Sequence, residues 1–413
     1  MSINCDIKFD ENPHGVYLPG QTLSGNVDLR LDEPVEIRGI ALQIKGIAEV
    51  NWSETTGDGS SRQVIYYHGR QDYMNSTTYL AGNKDGAMLQ LLPGTHSFQF
   101  LFDLPENLVT SVEAKHGHIR YTVKVILERS WKVDHSYKVA FTVLRHVNLI
   151  EENFAVRLPS KMAKVKTFCC GPCVSAPILM TAETPVSGYV PGQTIAVRIE
   201  VDNQSHKNVY EIATKLLREV SYISQTPFTK VKSKLTIVAE VRCKGVPKHK
   251  QDIYVQNLYI PPLPPTNRTC QVLTVNYIVE VEGKISGPST NPRIHIPIML
   301  GTIPLTNDAI PTFDKEPNMT SAIVVQPMAS TSSASTHFIP ADLPPPSYEE
   351  AIHANRANIQ EEGETNEIGC KDFTPRYIIY RFGGNGSSEG PGGPKPEQVD
   401  MDEEVVLRRK NYK

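Results

Sequence analysis

The sequence predicts an all-β fold: two β-sandwich domains in tandem, followed by a disordered C-terminal tail. Three observations predict it. Apolar and polar residues alternate with period two in segment after segment up to about residue 305, as in strands with one face in a core. One turn motif occurs twice: Tyr17-Leu18-Pro19-Gly20-Gln21-Thr22 returns as Tyr189-Val190-Pro191-Gly192-Gln193-Thr194. A repeat of such long period points to a duplicated domain. Beyond residue 305 the alternation gives way to Ser, Thr, Gly, Pro and acidic runs.

Residues 1–150 make the first predicted sandwich. In its turn motif, proline pre-sets its own φ and glycine accepts a positive φ. Behind the turn, Leu23, Gly25, Val27, Leu29 and Leu31 alternate with Ser24, Asn26, Asp28 and Arg30. Ile40, Leu42 and Ile44 mark a second strand, and Phe98, Phe100 and Phe102 a third. Tyr121, Val123, Val125 and Leu127, then Val139, Phe141 and Val143, close the set. Residues 57–61 read as a loop. Short strands with turns between them, and no long amphipathic helix, predict a sandwich.

Residues 151–177 read as a connector, in which Lys161, Lys164 and Lys166 lead into Phe168-Cys169-Cys170-Gly171-Pro172-Cys173. Residues 178–305 repeat the β pattern. Ile195, Val197, Ile199 and Val201 follow the second turn; Leu235, Ile237, Ala239 and Val241 alternate, as do Tyr277, Val279 and Val281. Residues 120–125 are echoed by 276–281. Residues 261–265, Pro-Pro-Leu-Pro-Pro, lie between strand patterns and read as a rigid loop. Residues 306–413 can bury too little apolar surface to offset their ordering entropy, so they are expected to form a disordered tail.

Composition excludes several functions. The net charge of −3 gives no general attraction to nucleic acid. No stretch approaches the roughly 18 apolar residues of a membrane span. The opening Met1-Ser2-Ile3-Asn4-Cys5-Asp6 lacks the features of a secretory signal. The expectation is a cytoplasmic protein with its 7 cysteines mostly reduced.

One motif in the tail carries function. Leu343-Pro344-Pro345-Pro346-Ser347-Tyr348-Glu349 contains Pro-Pro-x-Tyr at Pro345, Pro346 and Tyr348. Consecutive prolines hold a polyproline II helix, so docking costs little entropy. WW domains take such segments with a proline in an aromatic groove and the tyrosine in the next pocket. Pro375 and Tyr377, in Thr374-Pro375-Arg376-Tyr377, form a degenerate second candidate that lacks the first proline.

Other signals carry less. Cys170-Gly171-Pro172-Cys173 spells a thioredoxin-type motif, but that chemistry requires a helix N-terminus after a strand, and the surroundings here are β. Cys169, Cys170 and Cys173 lack a well-placed fourth zinc ligand, and S-acylation is a further reading. His116 and His118 read as loop residues. Lys230, Lys232 and Lys234 share one face of a strand, either solvated or a patch for phosphates or acidic lipid heads. No nucleophile triad, paired-acid motif or phosphate loop stands out. No catalytic residue, metal or cofactor is assigned.

Two sandwiches and a Pro-Pro-x-Tyr tail together resemble the arrestin-domain-containing proteins, the alpha-arrestins. The resemblance rests on residues 17–22, 91–98, 117–121, 189–194 and 261–265 before Asn276-Tyr277, taken in that order. It implies two arrestin-like lobes and a non-enzymatic adaptor. The lobes would engage cytosolic portions of membrane receptors or transporters, with peripheral membrane contact at the plasma membrane and endosomes. Pro345, Pro346 and Tyr348 would recruit a WW-domain HECT-type ubiquitin ligase, so that cargo is ubiquitinated, endocytosed and sorted. The alternative is a retromer-like coat subunit acting through the lobes alone. Visual and beta-type arrestins carry a buried charge cluster that senses phosphates. Its acidic loop has no counterpart here, since the only acid between Gly245 and Arg268 is Asp252. No phosphosensor residues are assigned.

Overall fold

The period-two segments become strands, and the duplication extends to the order in which they pair. The structure, a computed structural model, describes residues 3–305 apart from 11, 13, 59–61, 130–133, 171–172, 175 and 288. It also describes 347–350, 357–359, 367–368 and 372–382. Met1–Arg381 forms one compact unit; of the second, Phe382–Lys413, only Phe382 is described.

The first sandwich begins with β1 (Ile3–Phe9), β2 (Val16–Tyr17), β3 (Thr22–Leu31), β4 (Val35–Ile37), β5 (Gly39–Thr56) and β6 (Gln63–Gly82). It continues through β7 (Leu89–Leu91), β8 (Gly94–Asp103), β9 (Val112–Ala114), β10 (Gly117–Glu128) and β11 (His135–Val143). One sheet has the order β1-β3-β8 and the other β2-β11-β10-β5-β6, with β9 paired to β10. Strands β4 and β7 form a separate ribbon. The alternation sets the faces: Leu23, Val27, Leu29 and Leu31 are buried, while the intervening residues of β3 are more exposed.

The second sandwich comprises β12 (Ser160–Lys166), β13 (Cys169–Cys170), β14 (Cys173–Val174), β15 (Ile178–Thr184), β16 (Gly188–Tyr189) and β17 (Thr194–Asn203). It is completed by β18 (Val209–Ile223), β19 (Val231–Lys244), β20 (Lys250–Tyr259), β21 (Leu273–Ile285) and β22 (Arg293–Leu300). Its sheets run β12-β15-β17-β20 and β16-β22-β21-β18-β19. Setting β2 against β16, β11 against β22, β10 against β21, β5 against β18 and β6 against β19 superimposes the larger sheets strand for strand.

The repeated turn is built identically in each lobe. The Leu18 N–H donates to Gln21 Oε1 at 2.8 Å, and the Val190 N–H donates to Gln193 Oε1 at 2.9 Å. The Gly20 N–H reaches Leu104 O at 3.1 Å; the Gly192 N–H reaches Ile260 O at 2.8 Å. Each glycine has the positive φ the sequence requires, 80° and 94°.

Three expectations need correction. The supposed connector supplies β12, which pairs along its whole length with β15 and so belongs to the second sandwich. His118 lies on β10, not in a loop. In β19, Leu235 and Ile237 face out and Val238 faces in. The cause is a bulge opposite Leu216 and Leu217, which pair with Ala239 and Ile237 and leave Val238 as the extra residue. One added residue shifts the inward face, which alternation alone does not reveal.

The lobes are joined by the long β5–β6 hairpin. The Gln225 and Thr226 N–H groups both donate to His68 O, and the His68 N–H donates back to Thr226 O. Tyr67 stacks on Trp52 and meets Phe228 edge-on at 5.5 Å. Lys230 lies over the Tyr67 ring and is paired with Glu54. Lys230 is thus committed to the lobe junction rather than to a shared face with Lys232 and Lys234.

Candidate functional site

Tyr348 lies on β23 (Ser347–Glu350), which pairs antiparallel with β27 (Arg376–Ile379). Tyr348 stands opposite Ile378, and Glu349 opposite Tyr377. The two segments singled out as WW-docking candidates are therefore partners in one ribbon. Pro345 and Pro346 lie outside the described residues. Further short strands are β24 (Ala357–Asn358), β25 (Glu367–Ile368) and β26 (Asp372–Phe373). Strand β25 pairs parallel with β11, and β24 pairs with β26. Most of 306–413 lies outside the described residues, but these pieces pack back on the lobes and amend the expectation of a tail throughout.

The two tyrosines occupy different environments. Tyr348 is half-buried; it packs against the core, and its ring centroid is 6.3 Å from that of His14. Tyr377 is 2% exposed, and its hydroxyl donates to Ser111 O at 3.0 Å. Burial pushes its phenol well above the ordinary tyrosine range, against the opposing pull of Arg218. Pro375 is buried as well. In this conformation Tyr377 is a core residue with no surface to offer a groove.

Beyond β27, Tyr380 reaches the second lobe. Its hydroxyl donates to Thr302 O at 2.7 Å and its N–H to Pro191 O at 3.1 Å. Burial, with Tyr348 nearby, pushes its phenol up to about 12. At the other end of β27, the Arg376 N–H donates to Thr142 Oγ1 at 3.2 Å and its guanidinium to His14 Nδ1 at 2.8 Å. Residues 376–381 thus form a strap touching both sandwiches.

The sequence matches the family described as "Arrestin (or S-antigen), N-terminal domain" over residues 5–150, and "Arrestin (or S-antigen), C-terminal domain" over residues 175–305. These spans coincide with the two lobes. It is 30% identical to human arrestin domain-containing protein 4 over 301 residues, which is 72% of this chain and 70% of that protein. The chain belongs to the arrestin-domain-containing family. Arrestin domain-containing protein 17 of Caenorhabditis elegans is 27% identical over an alignment that takes in 89% of this chain and 97% of that one. Rat arrestin domain-containing protein 1 is 28% identical over 70% of this chain and 62% of its own length. The family is one of adaptors.

In this arrestin-domain protein, sequence reasoning missed the charged groups that meet the 357–359 segment. Arg120 and Glu113 form a buried two-point ion pair, Nε to Oε1 at 2.7 Å and Nη2 to Oε2 at 2.8 Å. Burial raises the Glu113 carboxyl pKa, and Arg120 opposes the rise. Arg120 Nη1 also donates to Asn358 O at 3.3 Å. Lys138 Nζ lies 3.4 Å from Ile359 O, so charged side chains of β10 and β11 hold the 357–359 segment by its carbonyls. The signal was present: Arg120 and Lys138 interrupt strands otherwise bound for the interior. The residues at 261–265, read as a rigid loop, are buried, and Pro264 O accepts the Tyr277 hydroxyl at 2.7 Å. The β13–β14 pairing sets Cys170 opposite Cys173.

Proposed function

We propose that this chain is a non-enzymatic adaptor. Its lobes bind the cytosolic portions of membrane receptors or transporters, and Pro345, Pro346 and Tyr348 recruit a WW-domain HECT-type ubiquitin ligase. The recruited ligase ubiquitinates the cargo, which is then endocytosed and sorted through endosomes. The observation that carries this reading is a complete Pro-Pro-x-Tyr in a chain whose two family-matched segments are arrestin lobes. The prolines pre-set an extended ligand, and the tyrosine supplies the large amphipathic anchor that a WW pocket takes. On this reading the catalytic cysteine belongs to the ligase. The protein works in the cytoplasm and is recruited to the plasma membrane and endosomes by its cargo.

The test is a pull-down with the WW domains of HECT-type ligases, using the full chain and Tyr348→Ala. The expected result is loss of ligase capture with thermal stability of the lobes unchanged to within a few degrees. Undiminished capture by Tyr348→Ala would remove the docking role. A point variant is the right tool. Deleting 306–413 would also remove Tyr377 and Tyr380, which are packed into the lobes, so a lost function could then be a lost fold. Cargo sorting that survives Tyr348→Ala would favour a coat subunit acting through the lobes alone.

A further inference from the structure

The strap at 376–381 threads the seam between the sandwiches, and the seam is shaped to receive it. Gly192 has φ 94°, and a Cβ there would lie 1.9 Å from Tyr380 O. Its duplicate, Gly20, has φ 80°, but a Cβ there would come no closer than 3.5 Å to its nearest neighbour, Glu106 Cγ. The same turn therefore serves a second purpose in one lobe only: it lets a foreign backbone approach. Tyrosines three residues apart, Tyr377 and Tyr380, each donate to a main-chain carbonyl, one on each lobe. The open edge of β27 is taken by β23, which carries Tyr348.

We propose that the interlobe seam is a peptide-binding groove whose resident is the chain's own 376–381 segment, and that this docking sequesters Tyr348 from WW domains. The proposal rests on the reading that Tyr348 docks a ligase, and adds its regulation. The two uses of Tyr348 are mutually exclusive. A WW domain takes the motif as a polyproline II segment with the tyrosine ring in a pocket. Here the same residue is in an antiparallel ladder, its ring partly covered by the lobe and by His14. The ribbon's ion pairs, Glu350 with Arg376 and Glu349 with Arg381, are solvent-exposed and contribute little. The latch is the burial of Tyr377 and Tyr380 together with the backbone pairing. The groove takes an extended segment with tyrosines at i and i+3. A partner strand of that chemistry would displace the strap and free the motif.

Sequestration lowers the apparent affinity by the fraction of molecules in which the strap is open. A synthetic peptide of residues 340–355 should therefore bind a ligase WW domain at least about tenfold more tightly than the full chain does. Gly192→Ala, which sets a methyl group against Tyr380 O, should close most of that gap. Gly20→Ala, which imposes similar backbone strain but brings the methyl group only into ordinary van der Waals contact with Glu106, should not. Hydrogen exchange on the unmodified chain gives a readout that needs no variant: amides at 376–379 should lose protection when the WW domain is added. Equal affinity of peptide and chain, or a Gly192→Ala chain no tighter than Gly20→Ala, or unaltered protection at 376–379 in the complex, would each overturn the sequestration. A peptide that binds no WW domain would instead remove the ligase-docking reading, and the sequestration with it.

Discussion

Tyr121 and Tyr277 occupy equivalent strands of the two sandwiches, and each donates its hydroxyl to a carbonyl in the loop ahead of its strand. Tyr121 reaches Val109 O and Tyr277 reaches Pro264 O, both at 2.7 Å. Each ring is fully buried. The pair fastens the loop of each lobe to the centre of its larger sheet.

The two contacts differ in one respect. The Tyr121 oxygen also accepts from the Val109 N–H at 3.1 Å. Removing the hydroxyl of Tyr121 therefore strands a buried donor and a buried acceptor, whereas removing that of Tyr277 strands one acceptor. An unsatisfied buried group costs about 1–3 kcal/mol. Tyr121→Phe is expected to destabilise by about 2–3 kcal/mol and Tyr277→Phe by about 1–2 kcal/mol. Differential scanning calorimetry of the two variants should show the larger loss of Tm for Tyr121→Phe.

That duplication was legible before any coordinates, in the echo of residues 120–125 by 276–281 and in the repeated Pro-Gly turn. Turn chemistry and period-two alternation are local, so they survive in one sequence. The bulge at Val238 was not legible, because an extra residue in a strand looks like any other apolar residue until its partner strand is known. The docking of 376–381 was hidden for a related reason. Arg376, Tyr377, Ile378, Ile379 and Tyr380 form a strand-like run of their own, but a short run beside Gly-rich sequence has no local sign of partners as distant as Ser111, Pro191 and Thr302. Arg120 sits in an apolar strand run, but its partner Glu113 lies across a hairpin that composition does not mark.

The Glu113–Arg120 pair should behave as a buried ion pair does. Each side chain is under a tenth exposed. Removing one partner leaves an uncompensated charge, and such a loss typically costs about 3–5 kcal/mol. Glu113→Ala and Arg120→Ala are each expected to fall in that range. Replacing both with apolar residues of similar volume, as in Glu113→Leu with Arg120→Met, should recover much of the loss. Urea denaturation of the two single variants and the double variant closes the cycle. Additive losses in the double variant would show that the two side chains act independently.

His118 gives the chain an acid sensitivity with a definite sign. Its ring is half-buried on β10, within the electrostatic reach of Arg120 and Lys45; across the ladders it lies opposite Glu49 and Glu113. Burial first, then Arg120 and Lys45, bring its pKa from the ordinary 6.5 down to about 3. The unfolded chain therefore binds a proton between pH 6.5 and about 3 that the folded chain refuses. Stability falls as pH drops through that window, by at most about 1.4 kcal/mol per pH unit from this residue. His118→Gln keeps a polar side chain of similar size but cannot titrate. Its Tm should fall less steeply than that of the unmodified chain between pH 6.5 and 4.5, above the range in which most carboxylates protonate. Parallel Tm curves for the two proteins over that interval would show that His118 is already charged in the fold.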